Sequence, residues 1–263
     1  MGQDIVATIK KDYVGELARQ GKRVDGRALD EYRPITIETG VISQAEGSAH
    51  VTLGHTEVFV GIKMATGTPY PDSPDSGTLT SSAELVPMAS PDFEKGPPSP
   101  EAIELARVVD RGIRESKTVD MHKLCITAGE KIWMLYLDMH VVDFDGNLFD
   151  ACSLGAIAAL KTATVPASKH KLGEDFPMPV DHTPVMTTAI KLAPGFTPFD
   201  PGQVEEKVGG ARLSVSTDEN GDIRAMQKGR EGGLTRDEIR AIISGSKRKG
   251  AEVRAVLHDA IRK

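Results

Sequence analysis

The segment that most constrains the fold is 138–166, DMHVVDFDGNLFDACSLGAIAALKTATVP. Its first residues predict a strand, and the Asp-Gly-Asn sequence at 145–147 predicts a turn. Residues 151–163 are almost all small and apolar, which predicts a helix that is buried on every side and ends before Pro166. Because the first backbone N–H groups of a helix have no partner within it, a strand, a glycine turn and a helix can together bind an anion.

Length and composition place few limits on function. The chain has 263 residues, of which 39% are hydrophobic and 27% are charged, and can form one or two domains. The sequence has no run of 18 apolar residues and no signal-like N-terminus, so we expect a cytoplasmic protein without a membrane span. Cys125 and Cys152 lie in apolar contexts and are expected to be buried, reduced thiols. His50 and His55 have no carboxylate at ligand spacing; we interpret them as exposed strand-edge residues and predict no metal site.

Apolar periodicity predicts strands and helices in alternation along the chain. Strands are predicted at 32–38, 47–66 (a hairpin with its turn at 54–56), 79–88, 122–127, 131–143, 183–192 and 211–227 (a hairpin around 218–221). Helices are predicted at 4–20, 100–117, 151–163 and 236–261, the last after a capping box at Thr235 and Glu238 and with a possible break at 244–246. Segments rich in Pro, Gly and charged residues predict exposed loops at 67–78 and 91–100 and a link between domains at 165–183.

The helix at 100–117 has a row of cations opposite its apolar face. Ser99 is expected to cap this helix. At about 100° per residue the arginines of the row lie within about 60° of one another. The row consists of Arg107, Arg111 and Arg114. One interpretation is a solvated face on which Glu104, Asp110 and Glu115 pair with the arginines. The other is contact with phosphates spaced along a single nucleic-acid strand.

A charged turn, Arg-Val-Asp-Gly-Arg at 23–27, precedes the first strand. It permits two interpretations, a plain surface loop or a turn that is fixed by ion pairs. The two arginines that flank the Asp-Gly pair favour the fixed turn, because a guanidinium forms strong charge-assisted hydrogen bonds with a carboxylate.

Several separated motifs resemble the RNase PH superfamily. The motifs are RVDGR at 23–27, GSAHVTLGHTEVFVGI at 47–62, ELARVVDRGIRESK at 104–117, DFDGNLFDACSLGAIAAL at 143–160 and ARLSVSTDENGDIRAMQKG at 211–229. Together they extend the resemblance from about residue 20 to about residue 260. Within the superfamily, the chain resembles the non-catalytic RNase PH-like ring subunit of the archaeal exosome.

The resemblance implies an α/β (α+β) fold of RNase PH type, with two α/β domains that each have a mixed sheet packed on helices. We expect an N-terminal helix and arm at 1–32, a first domain at 33–166, a linker at 167–182 and a second domain at 183–263. The implied partner is a catalytic paralogue in an alternating hexameric ring, a trimer of heterodimers, on which RNA-binding cap proteins dock. Single-stranded RNA would be shortened from its 3′ end by inorganic phosphate, which the partner binds, so no cofactor of the chain itself is expected.

The residues that active relatives use for phosphorolysis are missing. Those relatives have Gly-Ser/Thr-Arg at the turn before the central helix, where this chain has Asn-Leu-Phe-Asp at 147–150. Phe149 is bulky and apolar, and Asp150 is expected to repel phosphate. The general acid of relatives has no counterpart in register; Asp181 is one position away, and we interpret it as a linker residue. We therefore expect no catalytic residue in this chain.

The arginine row matches the family segment that faces the RNA channel. The resemblance therefore favours phosphate contact by Arg107 and Arg111, and less strongly by Arg114. The loop at 67–77 matches a loop that narrows the channel, but it has no Lys or Arg, so no strong RNA contact is expected there. The hypothesis is a non-catalytic ring subunit that binds RNA backbone and structures the active site of its partner. Two alternatives stay open: an active phosphorolytic exoribonuclease that processes transfer-RNA 3′ ends, and a scaffold that never touches RNA.

Overall fold

A computed structural model describes residues 12–262, which form two main sheets and five helices. The strands are β1 (Ile35–Thr39), β2 (Gly47–Leu53), β3 (Thr56–Gly67), β4 (Thr78–Leu85), β5 (Cys125–Thr127), β6 (Lys131–Asp143), β7 (Thr164–Val165), β8 (Phe176–Pro177), β9 (Val185–Ile190), β10 (Arg212–Thr217) and β11 (Ile223–Gly229). The helices are α1 (residues 12–19), α2 (Pro100–Glu115), α3 (Leu148–Thr162), α4 (Gln203–Val208) and α5 (Arg236–Ile261). Among these described residues, no helix has the length and apolarity to cross a membrane.

The larger sheet has the order β1-β2-β3-β6-β4, with β5 paired to β6. All of its pairs are antiparallel except β4–β6, so the sheet is mixed, as expected. Strands β2 and β3 form the predicted hairpin, in which Leu53 pairs with Thr56 across a two-residue turn. The smaller sheet has the order β11-β10-β9 and includes the second predicted hairpin.

Helix α3 lies between the two sheets and packs against both. It packs against β2 and β3 on one side and against β9 on the other, and every residue from Phe149 to Leu160 is buried. The prediction of a helix without a solvent face is therefore confirmed. The division into domains at 33–166 and 183–263 stays a prediction, since α3 contributes to the packing of both sheets.

Helix α5 runs without the predicted break and packs against β9, β10 and β1. Its start is the predicted capping box, in which the Glu238 N–H donates to Thr235 Oγ1 at 3.2 Å. Position 245, in the middle of α5, requires a glycine because a Cβ there would come within 2.6 Å of the Phe199 ring. Tertiary packing against this ring therefore explains a glycine that sequence reasoning took for a helix break.

Some local predictions were wrong. The segment 122–127 is a strand only from Cys125; before it Met121–Leu124 form a 3-10 helix, because the Asp120 side chain accepts from the His122 N–H at 3.1 Å. Cys125 is only partly buried, unlike Cys152. The expected link at 165–183 stays a prediction; it contains β8, which pairs with β7 at the start of the link.

His50 is not at a strand edge, because β2 lies between β1 and β3 in the larger sheet. Its side chain is 19% exposed, bonds Glu57 at 2.6 Å and stacks on Phe59 at 4.3 Å between ring centroids. Of the predicted first helix, residues 4–11 lie outside the described range. In α1, Val14 is buried as expected, but Tyr13 is 59% exposed and does not belong to the apolar face.

Candidate functional site

A cleft of about 1090 Å³ opens at the N-terminal end of α3. Its walls come from the loop before α2, the first turn of α2, the start of α3, helix α4 and the start of β10. This is the place where the sequence predicts an anion site, so the groups that fill it decide whether it can hold phosphate.

The helix N-terminus at this cleft already has a carboxylate. The backbone N–H of Asn147, which adopts the left-handed conformation at the N-cap of α3, donates to Glu206 Oε1 at 3.0 Å. Gly146 has φ of 90°, and a Cβ there would come within 2.6 Å of the backbone of Gly202, at the start of α4. Burial raises the pKa of Glu206, against the opposing effect of its hydrogen bond from Asn147. The chain therefore occupies its own anion site with a side chain.

Asp150 does not face the cleft, contrary to the expectation that it repels phosphate there. It is fully buried and points into the space between α3 and β9, where its Oδ1 accepts from Thr188 Oγ1 at 2.7 Å. Its Oδ2 accepts from the Tyr32 hydroxyl and from Asn147 Nδ2, both at 2.8 Å. Burial raises the pKa of Asp150 to about 7, although these hydrogen bonds act in the opposite direction.

Phe149, in the first turn of α3, is covered by a cation that the sequence did not point to. The guanidinium of Arg212, at the start of β10, lies 4.0 Å from the centre of the Phe149 ring. Arg212 also donates to Glu104 Oε1 at 2.6 Å. On β11 it pairs with Gly229, where a Cβ would collide with the Arg212 guanidinium. The cleft therefore contains a buried cation, but that cation already has a π-face and a carboxylate as partners.

Asp181 is exposed and is not one of the residues that line the cleft. Its backbone N–H donates to Thr118 O at 2.8 Å, which fixes it in the connection before β9. This position is consistent with the interpretation of Asp181 as a linker residue.

The three predicted arginines line one shallow groove on the surface of α2. Ser99 caps this helix as predicted, accepting from the Ala102 N–H at 3.2 Å. The groove has a volume of about 370 Å³, and β4 contributes Leu79, Thr80 and Ser81 to its other wall. The guanidinium groups that reach it are exposed and belong to Arg107, Arg111 and Arg114.

The acids that were considered as partners neutralise only one arginine of the row. Glu104 pairs with Arg212 instead, and Asp110 Oδ2 accepts from Arg114 Nε at 2.6 Å. Arg114 also donates to the Leu79 carbonyl. Among residues 12–262, neither Arg107 nor Arg111 forms an ion pair, so the first two arginines keep their charge available to a ligand.

A second arginine cluster ties the N-terminal arm to the rest of the chain. Arg23 is buried and bonds both oxygens of Glu205, at 2.9 and 2.6 Å. Asp200 is fully buried and accepts from Arg27 Nη1 at 2.8 Å and from Arg33 Nη2 at 2.7 Å. Burial acts to raise the pKa of Asp200, but the hydrogen bond and charge of Arg33 outweigh it and hold that pKa below its ordinary value. The interpretation of RVDGR as a fixed, ion-paired turn is confirmed.

Comparisons with known proteins identify the class. The family model described as 3′ exoribonuclease family, domain 1, matches residues 31–166, and the model for domain 2 matches residues 199–248. The chain therefore belongs to the 3′ exoribonuclease family.

Individual relatives are similar over nearly the whole length. The chain is 52% identical over 257 residues to exosome complex component Rrp42 of Methanocella arvoryzae, with 98% of each chain covered. It is 47% identical over 251 residues to the Rrp42 component of Thermoplasma volcanium, which covers 95% of this chain and 96% of the relative. A chain of the Archaeoglobus fulgidus exosome with RNA bound to the active site matches with a TM-score of 0.92 and 47% identity, over 95% of this chain and 98% of that one.

Proposed function

We propose that this chain is a non-catalytic ring subunit of an exosome, a complex that degrades RNA from the 3′ end by phosphorolysis. Its roles are to hold RNA backbone at the arginine groove and to complete the active site of a catalytic paralogue. The paralogue binds the inorganic phosphate, and the two subunits alternate in a six-membered ring on which RNA-binding cap proteins dock. The relatives named above as exosome components support this proposal.

One observation carries the non-catalytic assignment. The anion-binding end of α3 already has Glu206 as a partner, and the neighbouring cation, Arg212, is paired with Glu104 and stacked on Phe149. A phosphate at the helix end would have to displace the Glu206 carboxylate, and the buried cation beside it is already paired. The other unpaired cations that line the cleft, Arg230 and Lys95, are exposed side chains outside α3. Phosphorolysis also needs a proton donor at the leaving oxygen, and Asp181 is not among the residues that line the cleft.

Activity is tested with the purified full-length chain and single-stranded RNA in inorganic phosphate buffer. The chain alone is expected to release no nucleoside diphosphate, whereas the chain mixed with its catalytic paralogue is expected to shorten the RNA from the 3′ end. Turnover by the chain alone would support the alternative of an active exoribonuclease instead.

RNA contact is tested in the reconstituted ring with Arg107→Ala and Arg111→Ala combined. Each phosphate contact of a single strand contributes about −0.7 to the slope of log affinity against log salt. The double variant is therefore expected to weaken RNA binding and to make the slope shallower by about 1.4 per chain in contact. An unchanged affinity and slope would favour the scaffold that never touches RNA.

A further inference from the structure

The side chains of the three groove arginines differ in their hydrogen-bond partners. Arg114 is bound by a carboxylate, Asp110, and the Arg107 side chain has no hydrogen-bond or ion-pair partner among residues 12–262. Arg111 is held by a neutral group: its Nη1 donates to Gln227 Oε1 at 3.1 Å. Gln227 lies on β11, 116 residues away in sequence, and pairs with Ser214 of β10.

A neutral acceptor and a charged acceptor have different consequences for a phosphate-binding arginine. A guanidinium has five N–H donors in a fixed plane, so one bond to an amide oxygen leaves four donors and the full positive charge. A carboxylate in the same place would restrict the side chain equally but would cancel its charge. Restricting a long side chain before binding lowers the entropy lost when it meets a ligand.

We propose that Gln227 is a positioning residue for RNA: its amide oxygen orients the guanidinium of Arg111 in the groove without neutralising it. This inference rests on the proposed contact between Arg111 and RNA backbone. The smaller sheet, β11-β10-β9, thereby takes part in RNA binding, although none of its residues lines the groove. Helix α2 packs along β11, which keeps Gln227 within reach of Arg111.

The experiment compares two substitutions of Gln227 in the reconstituted ring, with fluorescein-labelled single-stranded poly(A) as the probe. Gln227→Glu keeps the size and the acceptor oxygens but adds a charge; it is expected to make the salt slope shallower by about 0.7, the share of one phosphate contact. Gln227→Met removes the acceptor without adding charge. It is expected to leave the slope unchanged and to weaken binding roughly threefold, through the lost restriction of Arg111.

A matched control separates orientation of Arg111 from a general effect of negative charge. Met226→Glu adds the same charge at the next position of β11, where the side chain points to the opposite face of the strand. It is expected to change the slope by less than Gln227→Glu does. An equal change in both variants would overturn the proposal, because any carboxylate on β11 would then suffice.

The variant Arg111→Ala distinguishes failure of this inference from failure of the proposed function. If Arg111→Ala weakens RNA binding, Gln227→Glu added to it is expected to have no further effect on the slope. A further effect of the same size would overturn the role of Gln227 and leave the arginine contact standing. If Arg111→Ala itself changes neither affinity nor slope, the proposed RNA contact at this residue fails, and the inference fails with it.

Discussion

The ion pair between Arg23 and Glu205 gives the sharpest prediction about stability. The Arg23 side chain is fully buried and Glu205 is 3% exposed. Arg23 also donates to the carbonyl groups of Phe199 and Asp200, each at 2.8 Å. Replacing it with methionine would keep much of the buried volume but would leave the Glu205 carboxylate without a cation in an interior site.

Removing one member of a buried ion pair typically costs about 3–5 kcal/mol, because the remaining charge has no compensating partner. Arg23→Met is therefore expected to lower the free energy of unfolding by about that amount. For a chain of this size, 1 kcal/mol corresponds to about 2–4 °C in Tm, so a loss of roughly 10 °C is expected. The double variant Arg23→Met with Glu205→Met removes both charges and is expected to recover most of the loss.

The assay is thermal and urea unfolding of the full chain, followed by circular dichroism. The control is Arg19→Met, which removes an arginine from an exposed pair with Glu16, whose side chains are 68% and 59% exposed. An exposed ion pair contributes little to the free energy of unfolding, so the Tm of this control is expected to stay close to that of the unchanged chain. If Arg23→Met lowers the Tm no more than Arg19→Met, the arm is not anchored by this pair. If the double variant is no more stable than Arg23→Met alone, the cost does not come from an unpaired carboxylate.

Two further predictions concern the groove and the core. Asp110→Asn keeps the shape of the Arg114 partner but removes its charge, so RNA binding by the ring is expected to tighten and its salt slope to steepen by up to about 0.7; an unchanged slope would mean that Arg114 does not reach RNA. Burial raises the pKa of Asp150 above its unfolded value to about 7, so its contribution to stability is present below about pH 4 and is lost as pH rises toward 7. The difference in unfolding free energy between the unchanged chain and Asp150→Asn is therefore expected to fall by a few kcal/mol over this range in urea titrations, and a difference independent of pH would contradict the assigned pKa.

Local patterns predicted the elements of the fold because they are fixed by near neighbours. The row on α2 follows from the helical period, and the caps at Ser99 and Thr235 follow from residues three positions apart. The sequence also predicted correctly that α3 is buried on every side, because a helix of small apolar residues has no polar face to turn toward water.

The partners of the charged groups could not be predicted in the same way. Arg23 and Glu205 are 182 residues apart, and Arg212 and Glu104 are 108 residues apart. Such pairs are fixed by how the sheets and helices pack, which no local pattern encodes. The same limit explains Asp150: its position in the first turn of α3 suggested a group at the cleft, but the rotation of the helix turns it toward β9.

The structure therefore separates two kinds of positive site on one chain. In the cleft, the buried cation Arg212 already has the Glu104 carboxylate and the Phe149 ring as partners. The exposed side chains of Arg230 and Lys95 also line the cleft, without an ion pair among residues 12–262. Placing an arginine at position 149 would not by itself create an anion site, because it would remove the stacking partner of Arg212 and set two guanidinium groups close together, with Glu206 still on the helix end. In the groove, Arg107 and Arg111 form no ion pair among residues 12–262: Glu104 is bound to Arg212 and Asp110 to Arg114, and Glu115 lines the groove without pairing with either arginine. A phosphate therefore meets less competition in the groove than in the cleft, which is the arrangement expected of a subunit that holds RNA while another subunit cuts it.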